Sequence, residues 1–134
     1  MKTCVVLALV AAAMCSGCFD VKVGGDVPVI RTTGLLRHVV LLRFKEGTSS
    51  WDIRNIEGKF RELPKKIDEI RDFEWGTDVS VEELAKGYTH CFFVTFRNAA
   101  DRDAYLPHPA HKAFGDVLKP HLEEVLVIDY VAGK

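Results

Sequence analysis

The sequence lacks the features that mark several large classes of protein. Its 18 basic and 19 acidic residues give a formal charge of −1, and it contains no run of lysine or arginine, so nucleic-acid binding is disfavoured. Glycine-rich phosphate loops and serine–histidine–aspartate nucleophile motifs are also absent. The length of 134 residues, with 48% hydrophobic and 28% charged residues, instead indicates one globular domain.

Cysteine is scarce, with four in the chain, and two of these, Cys4 and Cys15, lie near the start. If that first segment is removed and Cys18 is modified, only Cys91 remains, and an intramolecular disulfide has no second partner. The fold must then be held by its core rather than by disulfides, and a partner subunit is a further source of stability.

The first residues have the layout of an export signal. Lys2 is followed by an apolar run from Cys4 to Met14 that is too short to span a bilayer, and small residues come next. The end of the run, Met14-Cys15-Ser16-Gly17-Cys18, resembles a bacterial lipobox. We therefore predict a signal peptide over residues 1–17, lipidation of Cys18, and a location in the cell envelope with a membrane anchor. A plain secretory signal and an uncleaved anchor are the alternatives.

Residues 18–34 separate this signal from the domain, which we expect over residues 35–134. Gly24-Gly25, Pro28 and Thr32-Thr33-Gly34 favour a flexible tether. The β-branched residues of the segment leave an added edge strand as the alternative.

Hydrophobic periodicity predicts the elements of the domain. Alternation over Leu36–Phe44 indicates a strand with apolar residues on both faces. Apolar residues spaced by three and four from Ile53 to Ile70 predict a helix that Ser49 or Ser50 caps, with a break near Leu63 because Pro64 follows. The remaining predicted elements are strands over Phe73–Val79, Tyr88–Phe96 and Val125–Val131, and helices from Asn98 to about Leu106 and from Ala110 to His121.

The predicted order is β-α-β-β-α-β. This is the ferredoxin-like α+β arrangement, with helices on one face of an antiparallel sheet. The other face carries an apolar patch, and its exposure to water would cost about 25 cal/mol per Å². A second copy of the sheet would cover it, so we predict a homodimer with a two-fold axis. The patch consists of Val39, Leu41, Cys91 and Phe93, with Leu126 and Ile128.

The stretch from Tyr105 to His111 holds a phenol and two imidazoles between prolines, which fix the backbone. His111 titrates in the physiological range and is the candidate general base. Asp129, near the end of the last predicted strand, could accept a hydrogen bond from the other ring nitrogen of His111. Tyr105 could donate a hydrogen bond to an oxyanion. The alternative is a hydrogen-bond network that only locks the turn.

His38 and His90 fall on the helix-facing sides of their predicted strands, together with Phe92. Because two histidines on adjacent strands can face one pocket, we predict that these three residues bind a substrate. The alternative is that each histidine is a hydrogen-bonded core group.

A metal or cofactor is not expected. Pro109 interrupts the helical spacing of His108 and His111, and Cys91 lies on the opposite strand face from His90. Haem held by a single histidine is less favoured still.

Five ordered motifs resemble the stress-responsive A/B barrel (Dabb) domain over Leu36–Lys134. They are Leu36–Lys45, Trp75–Val79, Gly87–His90, Tyr105 with His108-Pro109-x-His111, and Val127–Tyr130. The resemblance implies ferredoxin-like subunits that pair into a dimeric α/β barrel. Within the family it extends to plant polyketide cyclases, which use neither cofactor nor metal. It implies that Tyr105 and His111 form an acid–base pair, and that His38 and His90 line the same cavity.

We therefore expect an exported homodimer that binds a small, fairly apolar carbonyl compound. The predicted activity is cofactor-independent acid–base catalysis of a cyclase or lyase type. The alternative is a non-catalytic stress-response binding module that uses the same pocket without turnover.

Overall fold

The computed structural model describes residues 33–133 of the chain. The predicted signal peptide, the lipidated Cys18 and nearly all of the predicted tether lie outside the described residues. Within residues 33–133, no helix is long and apolar enough to cross a membrane.

Four strands form one antiparallel sheet. They are β1 (Leu36–Phe44), β2 (Asp72–Thr77), β3 (His90–Phe96) and β4 (Leu122–Val131), and their order across the sheet is β2-β3-β1-β4. Strand β1 is therefore central and β4 lies at an edge. In this register His38 lies directly opposite Val94 on one side and Asp129 on the other.

Helix α1 (Ser50–Arg61) begins where the sequence predicts. The side chain of Ser49 accepts a hydrogen bond from the backbone N–H of Asp52, which satisfies a free donor of the first turn. The α-helix ends before Pro64, and a 3₁₀ turn over Leu63–Lys65 follows, which confirms the predicted break.

Two shorter helices complete the layer, α2 (Ala99–Tyr105) and α3 (Pro109–Leu118), and a 3₁₀ turn over Lys119–His121 leads into β4. The observed order is β-α-β-β-α-β, with the second helical segment divided in two by the proline-containing turn. The predicted ferredoxin-like α+β fold is confirmed.

The core lies between the helices and one face of the sheet. Phe60 of α1 stacks on Phe92 of β3 with ring centroids 4.1 Å apart, and Phe114 of α3 contacts Phe60 at 4.6 Å. These aromatic contacts join both helices to the centre of the sheet, where Leu42 and Val94 are fully buried.

The opposite face of the sheet is not covered by any helix of the described region. Val39, Leu41 and Phe93 are half-buried by their neighbours on this face, and Ile128 is 51% exposed. This apolar face is the one for which the sequence predicts a second subunit.

Candidate functional site

A cavity of about 300 Å³ opens between helix α3, the end of α2 and the β1–β4 side of the sheet. Its walls are mainly apolar, and its polar residues are His38, Tyr105, His111 and Asp129. Four of the predicted site residues therefore line one cavity, although they come from four different elements. The apolar walls are formed by Val40, Phe60, Leu106, Phe114, Leu118, Val125 and Val127.

The turn between α2 and α3 places two of these residues. Tyr105 is the last residue of α2 and is fully buried. His108 caps α3, because its Nδ1 accepts a hydrogen bond from the backbone N–H of Ala110 at 3.1 Å, and Pro109 takes the first helical position. His111 follows in the first turn of α3. His108 therefore braces the turn.

Tyr105 lies between the two cavity histidines. Its ring centroid is 4.3 Å from that of His111 and 5.7 Å from that of His38. A phenol and two imidazoles thus meet in a cavity whose other lining residues, apart from Asp129, are apolar. Such an arrangement can exchange protons with a bound polar group and can also orient it.

The ring of His111 has a defined tautomer. Its Nδ1 lies 3.0 Å from the carbonyl oxygen of Leu106. Because a carbonyl only accepts, Nδ1 must carry the proton, and Nε2 has a lone pair. Burial lowers the pKa of His111 and outweighs the raising effect of this hydrogen bond. His111 is therefore a neutral base at neutral pH.

His38 is held by Asp129. Its Nδ1 lies 2.7 Å from Oδ1 of Asp129, so the carboxylate accepts the Nδ1 proton, and in the neutral ring the lone pair then lies on Nε2. The second carboxylate oxygen, Oδ2, accepts from Nη1 of Arg102 at 2.7 Å. Burial alone would raise the pKa of Asp129, but the hydrogen bonds from Arg102 and His38 prevail and lower it.

The predicted partner of Asp129 is therefore corrected. The sequence predicts that Asp129 orients His111, whereas the structure pairs it with His38. The reason is the sheet register, which sets Asp129 directly opposite His38 on the adjacent strand. Side chains at directly opposite positions lie on the same face and close together.

The hydroxyl of Tyr105 is buried and has no hydrogen-bond partner among the described residues. Burial also raises its pKa, so the phenol keeps its proton over the whole physiological range. Tyr105 therefore carries a proton that it could donate, and its role as a donor to an oxyanion stays a prediction.

Comparison with known proteins defines the family. A family model described as the stress responsive A/B barrel domain (Dabb) matches residues 36–132. The chain belongs to the Dabb family.

Two curated plant proteins are similar to this Dabb chain. The stress-response A/B barrel domain-containing protein HS1 of Arabidopsis thaliana is 40% identical over 97 residues, which cover 72% of this chain and 89% of that protein. Olivetolic acid cyclase of Cannabis sativa is 32% identical over 99 residues, which cover 74% of this chain and 98% of the cyclase.

Solved structures share the fold. Hydroxynitrile lyase from Passiflora edulis superimposes with a TM-score of 0.71 at 29% identity, over 76% of this chain and 96% of the lyase. A dimeric protein with a ferredoxin-like fold from Bacteroides fragilis gives a TM-score of 0.61 at 27% identity, over 73% of this chain and 96% of that one.

Two of the predicted substrate-binding residues of this Dabb domain do not reach the cavity. His90 is opposite Leu42, four residues along β1 from His38, or about 13 Å at the usual rise of a strand. Both of its ring nitrogens are engaged, Nε2 with Glu57 at 3.0 Å and Nδ1 with Thr89 at 2.8 Å. Phe92 is fully buried against Phe60 in the core. The expectation that His38 and His90 line one cavity is corrected.

The geometry of the described residues offers no ready metal site. Nowhere in residues 33–133 do three histidine, cysteine, aspartate or glutamate side chains gather around a common point. The polar residues of the cavity instead form two separate pairs, His38 with Asp129 and His111 with the Leu106 carbonyl.

Sequence reasoning missed Arg102 as a neighbour of the site. Its spacing of three residues before Tyr105, within a predicted helix, was the available signal, because residues three apart share a helix face. An arginine on a short polar helix is usually read as a solvated side chain, so the signal is weak without the tertiary contact.

Proposed function

We propose that the cavity binds a small, largely apolar carbonyl compound and acts on it by acid–base chemistry without a cofactor, in a cyclase- or lyase-like reaction. The observation that carries this proposal is the meeting of His38, Tyr105 and His111 in one apolar cavity. Tyr105 keeps its proton and His111 is neutral, which suits a donor and a base, respectively.

The walls support a compact, apolar substrate. Phe60, Phe114 and Val127 are among the cavity walls, and they offer carbon surface rather than charge. A volume of about 300 Å³ is at the small end of the range for ligand sites. A bulky or highly charged compound would therefore fit poorly.

The polar residues of the cavity support a specific division of roles. The protonated phenol of Tyr105 would donate to the carbonyl oxygen and stabilise negative charge as it develops. The neutral His111 would take a proton at Nε2 and return it later in the cycle. His38, fixed by Asp129, would provide a second acceptor on the other side of Tyr105.

Relatives support the reaction type but not the substrate. One similar protein is named as a cyclase and one as a lyase. Both similarities extend across the domain that contains the cavity, which favours a related kind of reaction here.

The experiment that tests the proposal compares the full chain with His111→Ala and with His121→Gln, a histidine variant outside the cavity. Each protein is incubated with metabolite extract and with a panel of small apolar aldehydes, ketones and cyanohydrins, followed by mass spectrometry. We expect turnover with wild type and His121→Gln, and a loss of about 10²-fold or more in His111→Ala.

Two results would contradict parts of the proposal. Equal turnover by wild type and His111→Ala would remove His111 from the mechanism. A compound that binds wild type and is recovered unchanged, with binding lost in His111→Ala, would favour the non-catalytic stress-response module, which the description of the family and of the HS1 relative supports.

We further propose that the protein is a homodimer that pairs through the uncovered face of the sheet. The apolar side chains on that face support this, and so do the similar ferredoxin-like proteins that are dimeric. The N-terminal pattern also supports export and a lipid anchor at Cys18 in the cell envelope.

A further inference from the structure

We propose that Arg102 is a positioning residue of the candidate site, which fixes Asp129 against His38 and thereby sets the ring tautomer of His38. The use of that tautomer in catalysis rests on the proposed function. The arrangement itself does not, because it follows from contacts between described residues.

Asp129 is held at both carboxylate oxygens. Oδ1 accepts from Nδ1 of His38 and Oδ2 from Nη1 of Arg102, each at 2.7 Å. Two partners on opposite oxygens define the plane of the carboxylate, whereas a single partner would leave it free to rotate. Charge-assisted hydrogen bonds of this length are among the stronger ones in proteins.

The position of Asp129 makes a second anchor necessary. It lies on the edge strand β4, and its side chain is 29% exposed, while that of His38 is 7% exposed. Water can therefore compete for the carboxylate from the open side of the strand. The guanidinium of Arg102 binds Oδ2, the oxygen that His38 does not use.

Helix α2 supplies both supports of His38. Arg102 and Tyr105 are three residues apart and so lie on neighbouring positions of one helix face. Tyr105 contacts the His38 ring edge-on, with centroids 5.7 Å apart, and Arg102 reaches the carboxylate behind that ring. The short helix thus fixes the ring and its partner together.

Arg102 acts through Asp129 and not on a ligand. It is not among the residues that line the cavity. Its remaining donors, Nε and Nη2, are both directed at Oδ1 of Asp103, at 3.0 and 2.8 Å. The simplest competing explanation is an ordinary surface ion pair that ties α2 to β4 without any effect on His38.

The test uses NMR of the isotope-labelled full chain, which needs no substrate. Ring ¹⁵N shifts report the tautomer of His38, and the carboxyl ¹³C shift of Asp129 reports its titration. The variants are Arg102→Gln, which removes the charge, and Arg102→Lys, which keeps it. Arg97→Gln is the matched control, because it makes the same kind of substitution and removes the ion pair of Arg97 with Asp101. Neither of these two residues lines the cavity.

In wild type we expect His38 to carry its proton on Nδ1. In Arg102→Gln the ratio of the Nδ1–H to the Nε2–H tautomer should fall by about tenfold, which is the effect of losing about one hydrogen bond. The pKa of Asp129 should rise toward its ordinary range. Arg102→Lys should restore the Asp129 titration, and Arg97→Gln should leave both signals unchanged.

The inference is overturned if Arg102→Gln folds normally and leaves both signals as in wild type. If that variant does not fold, Arg102→Lys decides, because lysine keeps the charge but not the fixed fork of the guanidinium. A His38 tautomer ratio equal to that of wild type, in a lysine variant with a normal melting temperature, would overturn the positioning role. With a substrate in hand, Arg102→Gln should lower kcat and leave KM unchanged. Failure to find any substrate would count against the proposed function and leave the tautomer measurement standing.

Discussion

Replacing Tyr105 with phenylalanine should make the protein more stable and less functional at the same time. The Tyr105 side chain is fully buried, and its hydroxyl has no partner among the described residues. The substitution removes that hydroxyl and leaves the ring, which contacts His38, Phe96 and His111. No described hydrogen bond is lost.

The size of the effect follows from the desolvation of the hydroxyl. A buried polar group without a partner costs about 1–3 kcal/mol, and the space left by one oxygen atom offsets part of the gain. We therefore expect the free energy of unfolding of Tyr105→Phe to rise by about 1 kcal/mol. In a domain of this size that corresponds to an increase of about 4–8 °C in melting temperature.

The assay is thermal and urea unfolding of the full chain, with Tyr88→Phe as the control. The Tyr88 hydroxyl interacts with Glu124, so its removal should bring no gain in stability. If Tyr105 is the donor to a carbonyl oxygen, turnover should fall by about 10²–10³-fold in Tyr105→Phe.

A fall in the melting temperature of Tyr105→Phe would refute the reasoning, since it would show that the hydroxyl is well paired in the folded protein. A Tyr105→Phe variant that is more stable and keeps full turnover would confirm the predicted gain in stability and contradict the predicted loss of activity. The hydroxyl would then be a desolvated group without a catalytic role.

Three further predictions concern acidity, assembly and the anchor. Because burial lowers the pKa of His111, turnover should be constant near neutrality and fall in acid, with a midpoint below the ordinary histidine pKa of 6.5. A pH–rate profile with a midpoint above 6.5 would contradict this. The full chain should sediment as a dimer. The Ile128→Glu variant should be monomeric, whereas Trp51→Glu, on the helix side, should remain dimeric. A monomeric wild type would exclude pairing through the sheet. Cys18→Ser should abolish partitioning into detergent, whereas a variant that stays in the membrane would indicate an uncleaved anchor instead of a lipid.

Periodicity was sufficient for the elements of the fold. The alternation over Leu36–Phe44 predicts β1 with its exact bounds, and the Ser49 cap and Pro64 define the two ends of α1. Strand ends without such signals were less exact. Strand β3 begins at His90 rather than Tyr88, and two residues separate it from the turn at Lys86 and Gly87, where the backbone is left-handed.

The last strand shows what a local pattern leaves out. It begins at Leu122 and not at Val125, because Leu122 pairs with Phe44 across an irregularity in the register with β1. A bulge depends on both strands, so the sequence of one strand does not reveal it.

Some of the site residues could be predicted from the sequence. The prolines and the spacing of Tyr105 and His111 indicate an ordered turn with acid–base groups, and the structure places both residues on one cavity with His38. Tyr105 and His111 belong to a local motif, and His38 belongs to one face of a strand. Both kinds of feature can be recognised in the sequence alone.

The sequence by itself determined the element order, the helix-facing side of each strand and the identity of the turn that holds Tyr105 and His111. Only the tertiary structure decided which residues on a shared face are close enough to act together. Strand alternation fixes a side but not a position along the strand, so it could not separate His90 from His38. Cross-strand register and the packing of α2 separate the two histidines. They also pair Asp129 with His38 and Arg102 with Asp129 through hydrogen bonds.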